Sequence, residues 1–161
     1  MSQFKKKLST FAAVMAFLSL STAASYAVSI TDNNVLGKTS NIDVSISGST
    51  LYQQMNVKQA GAVAQVDFGK FNVGKNETVF YGFSANSQTI INRVLGGNES
   101  QILGKITSGC AGNASCTSYA NTGKVILINP AGVMFGQGST VDLNSFTVST
   151  FDFKGAQILM A

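Results

Sequence analysis

The sequence predicts a nearly all-β chain built as a stack of short strands, and three observations carry that expectation. From Asn121 to Gly136, a turn (Asn121-Thr122-Gly123) leads into a mainly β-branched run, Val125-Ile126-Leu127-Ile128-Asn129. Pro130 stops the run, Ala131-Gly132 bends the chain, and Val133-Met134-Phe135 resumes as a second strand. Apolar residues at successive positions fit a strand covered on both faces, and proline ends it because it has no N–H for a ladder. Turn-forming Gly, Asn and Ser recur at intervals of about ten residues, giving many short strands at regular spacing. Good helix formers are sparse, and no window after Ala27 keeps an apolar period of 3.6 residues. Strand, corner, strand is the unit of a β-solenoid. A sandwich or barrel shares the strand spacing, but charged residues, 11% of the chain, are few to coat a sandwich's outer faces.

Taken in order, the chain opens with Lys5, Lys6 and Lys7, then an apolar run from Leu8 to Leu20, then small residues from Ser21 to Ala27. Charged start, apolar middle and small-residue exit describe a secretory signal peptide, with Ser25 and Ala27 before a cleavage site at Val28. The apolar run is shorter than the roughly 20 residues of a spanning helix. Residues 1–27 are therefore expected to be removed, leaving one domain over 28–161. The whole chain carries 11 Lys and Arg against 7 Asp and Glu, a net charge of +4. Three of those lysines fall in the leading segment, so the rest is close to neutral. Without a basic patch interleaved with aromatics, nucleic acid is not an expected partner.

Val28 to Ser49 reads as a polar N-terminal cap holding a strand at Ile42–Ile46, where Ile42, Val44 and Ile46 alternate with polar residues. Leu51 to Lys58 fits either a strand or a short helix. In Ala62 to Phe68, Ala64, Val66 and Phe68 share one face. Phe71 to Gly74 reads as a strand ending in a turn at Lys75-Asn76. In Glu77 to Phe83, Val79, Tyr81 and Phe83 face one way and Phe80 the other. Thr89 to Leu95 follows, with Gly96-Gly97 as a corner where a side chain would be in the way, then Ser100 to Ile106. Thr107 to Tyr119 is expected to be a polar loop outside the regular pattern. After the organising stretch come Thr140–Leu143, Phe146–Ser149 and an apolar end, Gly155–Leu159. That end suggests a piece of a longer protein, since a finished solenoid needs a polar capping coil.

Cys110 and Cys116 sit in the irregular loop with small residues between them. In an exported protein they are expected to close a disulfide, worth roughly 2–3 kcal/mol at most for so short a ring. The chain has no histidine, which removes Ser-His and Cys-His nucleophile systems. With neither His nor a third Cys, a metal site or other cofactor is not expected. The carboxylates are scattered, and nothing in their spacing selects a catalytic pair. They read as solvated turn and strand-face groups.

Several linked segments resemble one known family. Asn92-Arg93-Val94-Leu95-Gly96-Gly97 with Ser100-Gln101-Ile102-Leu103-Gly104-Lys105-Ile106 is similar to a signature of the filamentous haemagglutinin N-terminal domain, the secretion domain of two-partner secretion exoproteins. Gly123 to Gly136, Gly138 to Thr150 and Val66 to Gly74 resemble further motifs of that family, in the same order. Ala131 stands where the family usually has a second Asn, the Cys110–Cys116 insert is extra, and an upstream Asn-Pro-Asn-Leu motif is absent. The resemblance implies a right-handed parallel β-helix (solenoid) with an N-terminal cap and extra short β elements. It implies a non-enzymatic secretion-targeting module, exported through the periplasm of a Gram-negative bacterium to the cell surface. Its partner would be an outer-membrane β-barrel transporter with periplasmic domains. Asn92, Arg93, Gly96, Asn129, Pro130 and Gly132 are the candidate recognition or corner residues. A self-contained surface adhesin that binds host cells or glycans is the alternative, and a β-helical carbohydrate-active enzyme ranks last.

Overall fold

The computed structural model describes residues 28–55, 62–111 and 122–151. A 3-10 turn at Ile30–Asp32 precedes β1 (Val35–Lys38), β2 (Ile42–Ser47) and β3 (Thr50–Met55). The chain continues through β4 (Val63–Phe68), β5 (Thr78–Phe83), β6 (Thr89–Val94), β7 (Ser100–Ile102) and β8 (Lys105–Cys110). It ends in β9 (Lys124–Ile128), β10 (Val133–Phe135), β11 (Thr140–Asp142) and β12 (Ser145–Ser149). Sheet A has the order β1-β4-β6-β9-β12, sheet B the order β11-β8-β5-β3-β2, and sheet C pairs β10 with β7. Successive strands visit sheets B, A and C in turn, and the pairs β3–β5, β5–β8, β4–β6, β6–β9 and β9–β12 are all parallel. That winding is a three-faced parallel β-helix.

Equivalent residues of successive coils stack in register. On sheet B, Leu51, Val79 and Ile106 form one column; on sheet A, Ala64, Ile90 and Val125 form another. All six are buried. Because side chains alternate across a strand, one column in two points inward and the next meets solvent or a covering layer. The inward faces read from the sequence are the observed ones: Ala64, Val66 and Phe68 on β4, and Val79, Tyr81 and Phe83 on β5, are all buried. Phe68 and Phe71 meet edge to face, with ring centroids 5.2 Å apart, where the chain turns from sheet A towards sheet C.

Both ends of the described stack differ from its middle. At the start, β1 runs antiparallel to β4 and β2 antiparallel to β3, forming the polar cap. Ile42 is buried, but Ile46 is exposed because β2 is the outermost strand of its sheet. At the other end, Val133, Leu143 and Phe146 only partly cover the core, and Val141 and Val148 are exposed.

Four readings of the sequence need amendment or completion. Leu51 onward is a strand as far as Met55, and 56–61 lie outside the described residues. Phe71–Gly74 contributes only a bridge, Val73 to Ile102: the backbone N–H of Asn72 donates to Asn33 Oδ1, and its side-chain oxygen accepts from Gln101 N. Ser100 to Ile106 divides at Leu103-Gly104, where a Cβ on Gly104 would collide with the carbonyls of Gly74 and Glu77. Thr107 to Cys110 is not loop but the second half of β8. Its polar appearance has a physical source: Ser108 stacks on Tyr81 inside the core, while Thr107 lies on the outward, half-buried face. Residues 1–27, 112–121 and 152–161, which hold the expected signal peptide, most of the insert and the Gly155–Leu159 segment, lie outside the described residues.

Candidate functional site

Four of the six candidate residues, Gly96, Asn129, Pro130 and Gly132, lie along one edge of the β-helix, where sheet A turns towards sheet C, and Asn92 and Arg93 lie within β6. The corner repeats in each coil. After β4 the chain turns at Gly69; after β6 it turns at Gly96, directly over Gly69. Leu95 N–H donates to the Phe68 carbonyl at 2.8 Å, and a Cβ on Gly96 would strike the Gly69 carbonyl oxygen. The glycine there is a packing requirement between backbones.

One coil on, Asn129 organises the corner. Its amide nitrogen donates to the Asn98 carbonyl at 3.0 Å and to Ser100 Oγ at 2.9 Å, while its side-chain oxygen accepts from Ala131 N at 2.9 Å. The last bond is an Asx turn, and Gly132 N–H closes on the Asn129 carbonyl at 3.0 Å. Proline suits the second position of such a turn because its φ is already set. Gly132 has φ +107°, a conformation that favours glycine. Ser100 N–H in turn donates to the Gly132 carbonyl at 3.0 Å, so successive corners are clipped together. Asn129 and Ser100 are wholly buried, whereas Pro130 and Ala131 are exposed at the tip.

Arg93 lies on the outer face of sheet A. Its guanidinium grips Asp67 with two bonds, Nε to Oδ1 at 3.0 Å and Nη2 to Oδ2 at 2.9 Å, and Gln65 donates to the same carboxylate at 2.8 Å. Planar two-point pairing of this kind is a guanidinium property that lysine does not share.

Asn92 points the other way, into the core. Its amide donates to the Tyr81 hydroxyl at 2.7 Å, spanning from sheet A to sheet B. Tyr81 stacks between Gln53 and Ser108, so four polar side chains form a seam inside an otherwise apolar interior. Burial pushes the Tyr81 hydroxyl's pKa well above its ordinary value, and the Asn92 bond only partly counters it. Gln53 adds a weaker attraction beside that hydroxyl, but neither of its amide atoms makes a hydrogen bond of regular geometry. Gln53 Nε2 and Oε1, Asn92 Oδ1 and Ser108 Oγ are all buried with no protein partner at regular hydrogen-bond geometry. Each such atom costs about 1–3 kcal/mol relative to its hydrated state in the unfolded chain.

Sequence reading did not find the role of Glu77, which is not a solvated turn residue. Its carboxylate accepts from Ser29 Oγ at 2.6 Å, from Ile30 N at 2.5 Å and from Gly74 N at 2.6 Å. A second tie is Asn33, which exchanges hydrogen bonds with the backbone of Asn72. Together they hold the first residues after the expected cleavage site against the coils. Cys110, at the end of β8, is disulfide-bonded; the expected partner, Cys116, lies outside the described residues. Among the described residues no group of three or more His, Cys, Asp or Glu could hold a metal ion.

The family described as "TPS secretion domain" matches residues 27–157. Two relatives, each described as a heme/hemopexin-binding protein of Haemophilus influenzae, are 32% identical over 105 and 106 residues. Those alignments cover 65% and 66% of this chain but only 10% of each relative, so the chain spans a small part of their length. The HMW1 secretion domain from Haemophilus influenzae, solved by crystallography, superposes with a TM-score of 0.58 at 24% identity. That likeness covers 80% of this chain and 29% of the solved one, and it shows the shared fold.

Proposed function

Since the chain belongs to the TPS secretion domain family, we propose that it is the targeting module by which an exported protein is handed to an outer-membrane β-barrel transporter. Residues 1–27 act as a signal peptide that brings the chain to the periplasm. The transporter's periplasmic domains take it there before the coils have stacked, and the β-helix forms once the chain emerges at the cell surface.

One observation carries the timing. Of the candidate residues, Asn92 and Asn129 are wholly buried in the folded domain and committed to internal hydrogen bonds. A partner that reads those side chains must do so before folding. In an open chain the same strands present unpaired N–H and C=O groups, which can add to a sheet edge of the partner. On the outside, coil-by-coil stacking makes folding progressive and favours outward movement.

The test is genetic. Chain 1–161 with an epitope tag is expressed in its own bacterium, and each two-partner transporter of that genome is deleted in turn. Loss of the chain from the medium on deletion of one transporter is the expected result. Export that survives every deletion rejects the proposal and leaves the self-contained surface adhesin as the reading to pursue.

A further inference from the structure

The polar seam in the core lies apart from every corner. Gln53, Tyr81 and Ser108 occupy equivalent positions on β3, β5 and β8, and Tyr81 reaches Asn92 on β6. The columns alongside, Leu51-Val79-Ile106 and Ala64-Ile90-Val125, are wholly apolar and buried, so the winding itself does not demand polar residues in this place. A polar network that serves packing specificity has its members satisfied. This one leaves Asn92 Oδ1 and Ser108 Oγ without a protein partner, and gives Gln53 Nε2 and Oε1 no regular hydrogen bond beyond a weak attraction to the Tyr81 hydroxyl.

We propose that the seam is a brake on the folded state, which keeps the unexported chain open long enough for its transporter to engage it. The inference rests on the secretion-targeting reading above. In the unfolded chain, water serves all four atoms, and the penalty begins only when the coils close over them. Since Gln53, Tyr81 and Ser108 belong to successive coils, early stacking in the periplasm is uphill at the point where the seam is sealed. Burial of the apolar columns outweighs the penalty once the whole stack is in place.

The experiment uses the full chain expressed in its own bacterium, with the secreted form purified from the medium for folding measurements. Gln53→Met and Ser108→Ala remove unpaired polar atoms at similar volume and leave the corner motifs intact. Separately and together they raise the denaturation midpoint and slow unfolding. Export falls several-fold, with matching accumulation in the periplasm. Adding Val79→Ala, a core truncation that returns the midpoint to its original value, restores export.

Three results overturn the brake: a raised midpoint with unchanged export, a midpoint that stays or falls in both variants (failure to fold included), and no rescue by Val79→Ala. Transporter deletion separates the two levels of the argument. If the parent chain is exported without any two-partner transporter, the targeting reading fails. If export needs the transporter but ignores the substitutions, the brake alone fails.

Discussion

Replacing Glu77 by alanine tests whether a single carboxylate fastens the start of the domain to its coils. The wild-type carboxylate takes three donors: Ser29 Oγ at 2.6 Å, Ile30 N at 2.5 Å and Gly74 N at 2.6 Å. A hydrogen bond to an ionised group contributes about 1.5–3 kcal/mol when it is well buried. The Glu77 site is only half-buried, so water recovers part of that, and the expected loss for Glu77→Ala is about 2–4 kcal/mol. Against a typical total of about 5–15 kcal/mol this is a large fraction. Glu77→Gln sharpens the test. Ile30 N and Gly74 N share one carboxylate oxygen, Oε2, and the amide oxygen of glutamine can serve both. Its NH2 group then faces Ser29 Oγ, which changes from donor to acceptor. Only the charge is lost, at about 1 kcal/mol. Urea denaturation followed by circular dichroism gives the energies, and native-state hydrogen exchange at Ile30 and Gly74 gives the location. An alanine variant within about 0.5 kcal/mol of the parent, or a glutamine variant as damaged as alanine, would refute the reasoning.

Two further predictions concern the corner and the core. Gly96→Ala drives a Cβ into the Gly69 carbonyl, which can yield only by moving backbone, and should lower stability by about 1–3 kcal/mol. Its neighbour is the control: nothing lies within 4 Å of a Cβ on Gly97, so Gly97→Ala should stay within about 0.5 kcal/mol in the same denaturation assay. Burial favours the neutral Tyr81 hydroxyl in the fold, so its contribution is level below the ordinary tyrosine pKa of about 10 and declines as pH rises past it. Midpoints measured from about pH 8 to pH 11 should therefore fall less steeply for Tyr81→Phe than for the parent; parallel curves would refute this.

The apolar half of the fold is legible in the residues because a period of two is a local property. Ala64-Val66-Phe68 and Val79-Tyr81-Phe83 announce their inward face without reference to any other strand. The polar interior is not legible in the same way. Ser108 and Gln53 occupy inward positions in phase with Ile106 and Leu51, but residue type alone assigns them to the surface, which is how Thr107–Cys110 came to read as loop. Phase would have found them: Asn92 falls between Ile90 and Val94 on the inward count, the signal that residue type obscures. Glu77 eludes the sequence for another reason. Two of its three donors, Ser29 Oγ and Ile30 N, are distant along the chain and arrive only when the cap folds back. The corner motifs are recognisable as turns from Pro130 and Gly132, but the bond from Asn129 to Ser100 joins successive coils and needs the stack to exist.

The reversed direction of β1 and β2 bears on how copies of this protein behave in a crowd. A rod made of stacked turns risks joining others end to end, because each terminal strand is a template for one more. Here the first strands run against the grain of those behind them. A second rod arriving in parallel register finds no continuation of its own ladder. Lys38 and Asp43, 3.8 Å apart on those outer strands, add charge where an intruding strand would have to lie. At this pole, then, the cap offers an approaching copy no parallel template to extend.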